Sequence, residues 1–327
     1  MSIIEVKNLK KEYQYYEKEL GLRGSIKNLW KREKLTKTAV NDISFQIDEG
    51  EIVGFLGPNG AGKTTTLKML SGILYPTSGD AKIMDYVPWQ RKKEYKMQFA
   101  IVMGQKSQLW WDLPAVDSLY LNKCIYEVED QIYKERLNEL VEVFDVKNLL
   151  KVPVRRLSLG ERMKFELMAS MIHNPRVIFL DEPTIGLDFI SQKKIIEFIK
   201  YYNKQTKTTI LLTSHYVKDI EELCNRAIVI NHGNLVFEGS LESIRKEFGQ
   251  KKLIRIRMPE NVDKVRFQQY GEIEEWNDSE VKLVMDHDKI QIIMRDIMET
   301  MQVYDFSIQD MPLESQITSL YQRGNVI

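Results

Sequence analysis

The chain has 327 residues, enough for roughly two domains on the usual domain-size range. Its 47 basic and 47 acidic residues cancel, which excludes the strong overall positive field of many nucleic-acid binders while leaving local basic patches open. Cys124 and Cys224 fit neither a C-x-x-C metal spacing nor a disulfide framework, and no cleavable leader or run of about eighteen uncharged apolar residues is visible. The expectation is therefore a reducing, cytosolic compartment and a chain that neither crosses a membrane nor is exported across one.

In chain order, IIEVKNL (3–9) reads as a strand, and Tyr13, Tyr15 and Tyr16 follow it closely. Residues 14–37 carry seven basic side chains (Lys18, Arg23, Lys27, Lys31, Arg32, Lys34, Lys37) against three acidic ones (Glu17, Glu19, Glu33). Leu22, Ile26, Leu29 and Trp30 recur at helical spacing there, so a basic amphipathic insertion is expected. Such a helix can lie on a membrane surface, pack on protein, or stay a solvated insertion; contact with protein is the preferred reading.

DISFQIDEGEIVGFLG (42–57) reads as strand, with a buried run at IVGFL that meets a glycine cluster. That cluster, Gly57, Pro58, Asn59, Gly60, Ala61, Gly62, Lys63, Thr64 and Thr65, matches G-x-x-x-x-G-K-[ST] between a predicted strand and a predicted helix. The glycines let backbone N–H groups approach phosphate. Lys63 supplies positive charge to β and γ oxygens, and the Thr64 hydroxyl can ligate Mg²⁺. Nucleotide binding follows.

From Leu109 to Leu150 the period becomes helical, with Ile132, Leu137, Leu140, Val141 and Phe144 as the expected apolar face. RRLSLGERMKFELMAS (155–170) then opens like a capped helix: Ser158 can serve as N-cap, and Glu161 stands three residues on, as in a capping box. RVIFL (176–180), TILLTS (209–214) and AIVIN (227–231) are further strands separated by helical segments, the alternation of a parallel α/β sheet. In VIFLDEP (177–183) a buried strand ends in carboxylates. Asp181 is placed to hold magnesium directly or through water, and Glu182 to poise an attacking water as general base.

These residues resemble the nucleotide-binding cassette of the ABC transporter family: LSLGE (157–161) precedes VIFLDEPTIGLD (177–188), and TSH (213–215) follows. The resemblance covers about residues 1–245 and implies two cassettes sandwiching two ATP molecules head to tail. The helix at Ser158 would then turn its N–H groups to the γ-phosphate held by a second copy's P-loop. Ser158 and Gly160 keep the family pattern, whereas Leu159 and Glu161 stand where a second glycine and a glutamine are usual. By the same resemblance Gln105, with Gln108 as rival, would ligate Mg²⁺ or the attacking water. His215 would contact the γ-phosphate and orient Glu182, Asp188 would lie in the loop that meets the partner copy, and Tyr13 would stack on adenine with Tyr15 and Tyr16 as competitors.

QLWWDLPAVDSLYLNKCIYEV (108–128) resembles a branch of these ATPases paired with separate six-helix permeases in drug, lipid or peptide efflux. Trp110 and Trp111 fit either the packing of the helical subdomain or a groove for the permease. Beyond about residue 251, strand, helix, strand, strand, helix, strand and a short terminal helix suggest a small ferredoxin-like α+β domain, with Met285, Met294, Met298 and Met301 as core or interface residues. The expected organisation is an α/β P-loop NTPase cassette over 1–248, with a helical subdomain over 106–165, and an accessory domain over 251–327. The implied protein is an ATPase using ATP and Mg²⁺, a homodimer on the cytoplasmic face of the cell membrane, bound to a separate permease and to no nucleic acid. The alternatives are a non-transport ABC ATPase acting on ribosome or DNA, against which the single P-loop and the lack of sustained heptads weigh, and a nucleotide-binding switch with little turnover.

Overall fold

The computed structural model describes residues 1–16, 34–104, 107–214, 216–260 and 263–323. It divides into two compact units, Met1–Glu238 and Gly239–Val326.

The first unit opens with β1 (Ser2–Tyr16), β2 (Lys34–Asp48) and β3 (Ile52–Leu56). The run expected as one strand over 42–57 is two. Its first part alternates, with Ile43, Phe45 and Ile47 buried and Ser44, Gln46 and Asp48 exposed, as suits an antiparallel sheet with one solvated face. After a turn at Glu49 and Gly50 the second part is apolar throughout and enters a parallel sheet. Helix α1 (Lys63–Leu70), β4 (Ser78–Ile83), α2 (Lys93–Lys96) and β5 (Phe99–Met103) follow. The helical segment holds α3 (Ala115–Ile125), α4 (Asp130–Phe144) and α5 (Leu159–Met171). Then come β6 (Val177–Asp181), α6 (Phe189–Thr206), β7 (Thr209–Thr213), α7 (Val217–Leu223), β8 (Arg226–Asn231) and β9 (Asn234–Ser240).

Among the described residues these strands make a small sheet in the order β2-β1-β4 and a larger one in the order β5-β6-β7-β3-β8-β9. Neighbours from β5 to β8 run parallel, so their C-terminal ends share one edge. One apolar core joins the sheets, from Ile4, Val6 and Phe45 through Leu67 and Leu70 of α1 to Phe179, Leu211 and Ile228. Phe45 meets Phe55 with ring centroids 5.8 Å apart, and Tyr95 stacks on Phe99 at 4.5 Å.

Two expectations change here. Residues 14–16 and 34–37 prolong β1 and β2 as paired strands, Gln14 opposite Thr36 and Tyr15 opposite Leu35, so these flanks of the insertion are strand rather than helix. Residues 17–33, with Leu22, Ile26, Leu29 and Trp30, lie outside the described residues. On α4, Ile132 is exposed and Tyr133 is buried with Leu140 and Phe144, a small rotation of the expected face.

The second unit contains α8 (Leu241–Glu247), β10 (Lys251–Arg257), α9 (Val265–Gln268), β11 (Glu272–Asn277), β12 (Glu280–Asp286), α10 (Ile290–Thr300), β13 (Asp305–Asp310) and α11 (Leu313–Arg323). The division at Glu238 and Gly239 precedes the boundary expected near Phe248 and Gly249 because α8 packs with α11. Its antiparallel sheet runs β11-β12-β10-β13, the strand order of a ferredoxin-like βαββαβ unit. Ile254, Ile256, Val281, Leu283 and Met285 on one sheet face pack with Met294 and Ile297 of α10, while Met298 is exposed.

Candidate functional site: a phosphate cleft at the sheet edge

The segment between β3 and α1 turns through Gly62, whose φ of 106° is open to glycine and whose added Cβ would lie 2.4 Å from the Ala39 carbonyl oxygen. No side chain caps α1, so its first N–H groups face the cleft, where an anion can accept from them. That cleft, about 490 Å³, is lined by Asn59–Thr65 together with Tyr13, Tyr15, Lys37, Ala39 and Glu182. Tyr13 and Tyr15 are two apart on β1 and so share a face; Tyr16, on the other face, is absent from the lining.

Lys63 is 6% exposed, and its Nζ donates to the carbonyl oxygens of Gly57 (2.6 Å) and Pro58 (3.2 Å). Burial lowers its pKa, opposed by the negative charges of Glu182 and Asp181. The Thr64 hydroxyl donates to Asp181 Oδ2 at 2.8 Å, which brings the end of β6 to the start of α1. Two oxygen donors this close are the hard ligand type that suits Mg²⁺. Thr213, at the end of β7, donates to Asp181 Oδ1 at 2.9 Å and accepts from the Glu182 N–H at 3.0 Å. Glu182 has φ 57°, a left-handed conformation unusual for a side chain of its size, and this places it on the cleft wall beside the P-loop.

Ser158 caps α5: its Oγ accepts from the Glu161 N–H at 3.3 Å, and Glu161 Oε2 accepts from the Ser158 N–H at 2.8 Å. Glu161 therefore bonds to its own helix backbone. Gly160 is pressed against α6, where an added Cβ would sit 2.7 Å from Ser191 Oγ. Asp188 caps α6, accepting from the N–H groups of Ile190 and Ser191 at 3.0 Å and from Ser191 Oγ at 2.6 Å. Those Ser191 bonds lead in lowering its carboxyl pKa. Ser158, Gly160, Glu161 and Asp188 thus form one group, and none of them lines the cleft of its own chain.

Gln105 and His215 lie outside the described residues. Gln108 is turned to α5, its Nε2 donating to the Glu166 carbonyl at 3.1 Å, and takes no part in the cleft lining. Sequence reasoning passed over Asp219, a buried carboxylate that accepts from Thr184 Oγ1 (2.6 Å), Gln192 Nε2 (2.6 Å) and Ser214 Oγ (3.0 Å). Asp219 ties the segment after Glu182 to the segment before His215. Its sequence signal was an acidic residue in the first turn of α7, six positions beyond the end of β7.

Residues 40–185 match the family model described as ABC transporter, and residues 250–309 match that of the EvrA-like ABC transporter C-terminal domain. The chain is similar to the ABC transporter ATP-binding protein NatA of Bacillus subtilis, 33% identical over 213 residues, covering 65% of this chain and 86% of that protein. The linearmycin resistance ATP-binding protein LnrL of the same organism is 32% identical over 220 residues, covering 67% and 70%. A solved structure described as an ATP binding subunit of an ABC transporter superposes with a TM-score of 0.64 at 26% identity, covering 76% of this chain and 93% of that one. On the strength of these matches the chain belongs to the ABC transporter ATP-binding proteins, as an ATP-binding ATPase subunit of a transporter.

Proposed function

We propose that two copies of this chain close around two ATP molecules on the cytoplasmic face of the cell membrane and drive a separate permease that exports a drug, lipid or peptide. The observation that carries the dimer is the placement of α5: its capped N-terminus carries Ser158 and Gly160 yet lines no part of the cleft in its own chain. A second copy's phosphate is the anion such a helix end can serve.

In this reading the P-loop N–H groups and Lys63 hold the β and γ phosphates, and Tyr13 stacks on adenine, with Tyr15 beside it on the same strand face. Thr64 and Asp181 hold Mg²⁺, with Gln105 as a further ligand; the ion supplies charge neutralisation on the phosphate oxygens. Glu182 accepts a proton from the attacking water, His215 orients that carboxylate, and Asp188 meets the partner copy. Hydrolysis here needs a positioned nucleophile and compensated charge more than covalent chemistry.

Among the described residues no helix is long and apolar enough to cross a membrane. Trp110 and Trp111 are 56% and 51% exposed, and Leu113, Tyr120 and Ile125 are exposed near them in sequence, an aromatic surface of the composition that protein partners bury. Similarity to LnrL, named for resistance to linearmycin, supports efflux as the direction. Replacing Glu182→Gln is expected to lower kcat by at least about 100-fold while ATP binding persists, leaving an ATP-held dimer. Affinity capture of tagged Glu182→Gln protein in mild detergent with ATP tests the whole reading. One polytopic membrane protein at near-equal stoichiometry supports it; ribosomal or DNA-repair proteins without a permease overturn it.

A further inference from the structure

Helix α5 carries a second carboxylate, Glu166, that the cleft does not use. It is 4% exposed, and its partners come from the segment that follows Gln105. Ser107 Oγ donates to Glu166 Oε1 at 2.5 Å, and the Gln108 N–H reaches both carboxylate oxygens at 3.2 Å. The Gln108 side chain returns a bond to the Glu166 carbonyl at 3.1 Å, and Ser107 Oγ accepts from the Leu109 N–H at 3.2 Å. One residue on, the Trp110 N–H donates to Ser118 Oγ at 3.0 Å, which attaches the segment to α3. Burial raises the Glu166 pKa, and its hydrogen bonds from Ser107 and Gln108 oppose that rise. An apolar side chain would fill this place without the cost of desolvating a charge, so the carboxylate makes physical sense where the segment must be held in one register on the helix.

We propose that Glu166 is a positioning residue for ATP hydrolysis: it locks Ser107–Leu109 onto α5, so that the helix whose N-terminus meets ATP across the dimer and the segment leading to Trp110 and Trp111 move as one body. The inference rests on the reading of Ser158 and Gly160 as contacts to the partner's ATP. Communication through packed elements needs such a rigid joint, and hydrogen bonds to a buried charge supply one at low cost in residues.

The test uses the full chain carrying Glu182→Gln, with dimer formation followed by light scattering and backbone hydrogen exchange followed at residues 107–113. ATP is expected to produce the dimer and slow exchange in that stretch by about tenfold or more, as local opening becomes coupled to the interface. With Glu166→Gln added, the dimer is expected to persist, with ATP affinity within about threefold, while the slowing at 107–113 is lost. In the chain with Glu182 intact, Glu166→Gln is expected to lower kcat about tenfold with KM for ATP unchanged. Slowing that survives Glu166→Gln overturns the proposal. So does loss of protection along all of α5 in the absence of ATP, the mark of a carboxylate needed only for folding. Should Glu166→Gln not fold, Ser107→Ala, which removes one donor without touching α5, gives the same readout, and Ser107→Thr should restore the slowing. Absence of an ATP dimer in the chain carrying Glu182→Gln alone would instead remove the reading of the α5 N-terminus on which the proposal stands.

Discussion

His173 stacks face to face on Tyr126, with ring centroids 3.6 Å and planes 5° apart, and its Nε2 lies 3.1 Å from the Phe99 carbonyl oxygen. Its Nδ1 is buried with no hydrogen-bond partner among the described residues. Burial is the main cause that lowers its pKa to about 4. The unfolded chain, with an ordinary histidine near 6.5, binds the proton more readily, so this group's contribution is complete above pH 6.5 and is lost as the pH falls towards 4. The linkage amounts to about 3 kcal/mol over that window. Denaturant titrations at pH 7.5 and pH 4.5 check it: His173→Phe, which keeps the stacked ring, should show a smaller pH-dependent loss than the unmodified chain. Equal losses in the two proteins would show that other groups carry the acid sensitivity.

The capped end of α5 makes an electrostatic point at the scale of the element. Glu161 spends its charge on the Ser158 N–H and on the positive end of its own helix. Glu161→Ala is therefore expected to cost about 0.5–1 kcal/mol in chemical denaturation, whereas Glu161→Gln, which keeps an acceptor oxygen, should cost less and leave ATP affinity within about twofold. A large gain in ATP affinity from Glu161→Gln would place that carboxylate against phosphate instead. This cap was legible in the sequence because a capping box is local, two residues three apart. The parallel strands were legible for a related reason, since IVGFL and the VIFL that precedes Asp181 are apolar at every position and only a doubly covered strand tolerates that. The break at Glu49 and Gly50 was overlooked although the period changes there from alternating to continuous. The insertion was drawn over 14–37 although its helical spacing covers only Leu22 to Trp30; the flanking Tyr15, Tyr16 and Thr36 are residues that prefer strands, and there the chain is paired as strand. Glu166 had no readable pattern, because it gains its meaning from partners in another segment; Thr213 was legible only as part of TSH, and its bonds to Asp181 and Glu182 only in the fold.

At the scale of the whole molecule, chain length set the expectation of roughly two domains, and the described residues divide into two units, each with its own core. The division depends on α8, which sequence pattern alone assigned to the preceding unit. Within the first unit, the cleft belongs to the shared edge of the parallel strands rather than to any one segment. Asp181 takes its two hydroxyl partners from Thr64 and Thr213, which stand 117 and 32 positions away along the chain. Such spacing has a consequence in time. Contacts of long sequence separation form late, after local helices and the first hydrophobic collapse. Recovery of ATP binding during refolding is therefore expected to lag behind recovery of far-ultraviolet helical signal in stopped-flow experiments, and simultaneous recovery would mean that the sheet edge forms in the first step. A chain emerging from the ribosome would likewise hold its phosphate loop for more than a hundred residues before Asp181 is made, and Asp181 gains its second hydroxyl partner only with β7 in place.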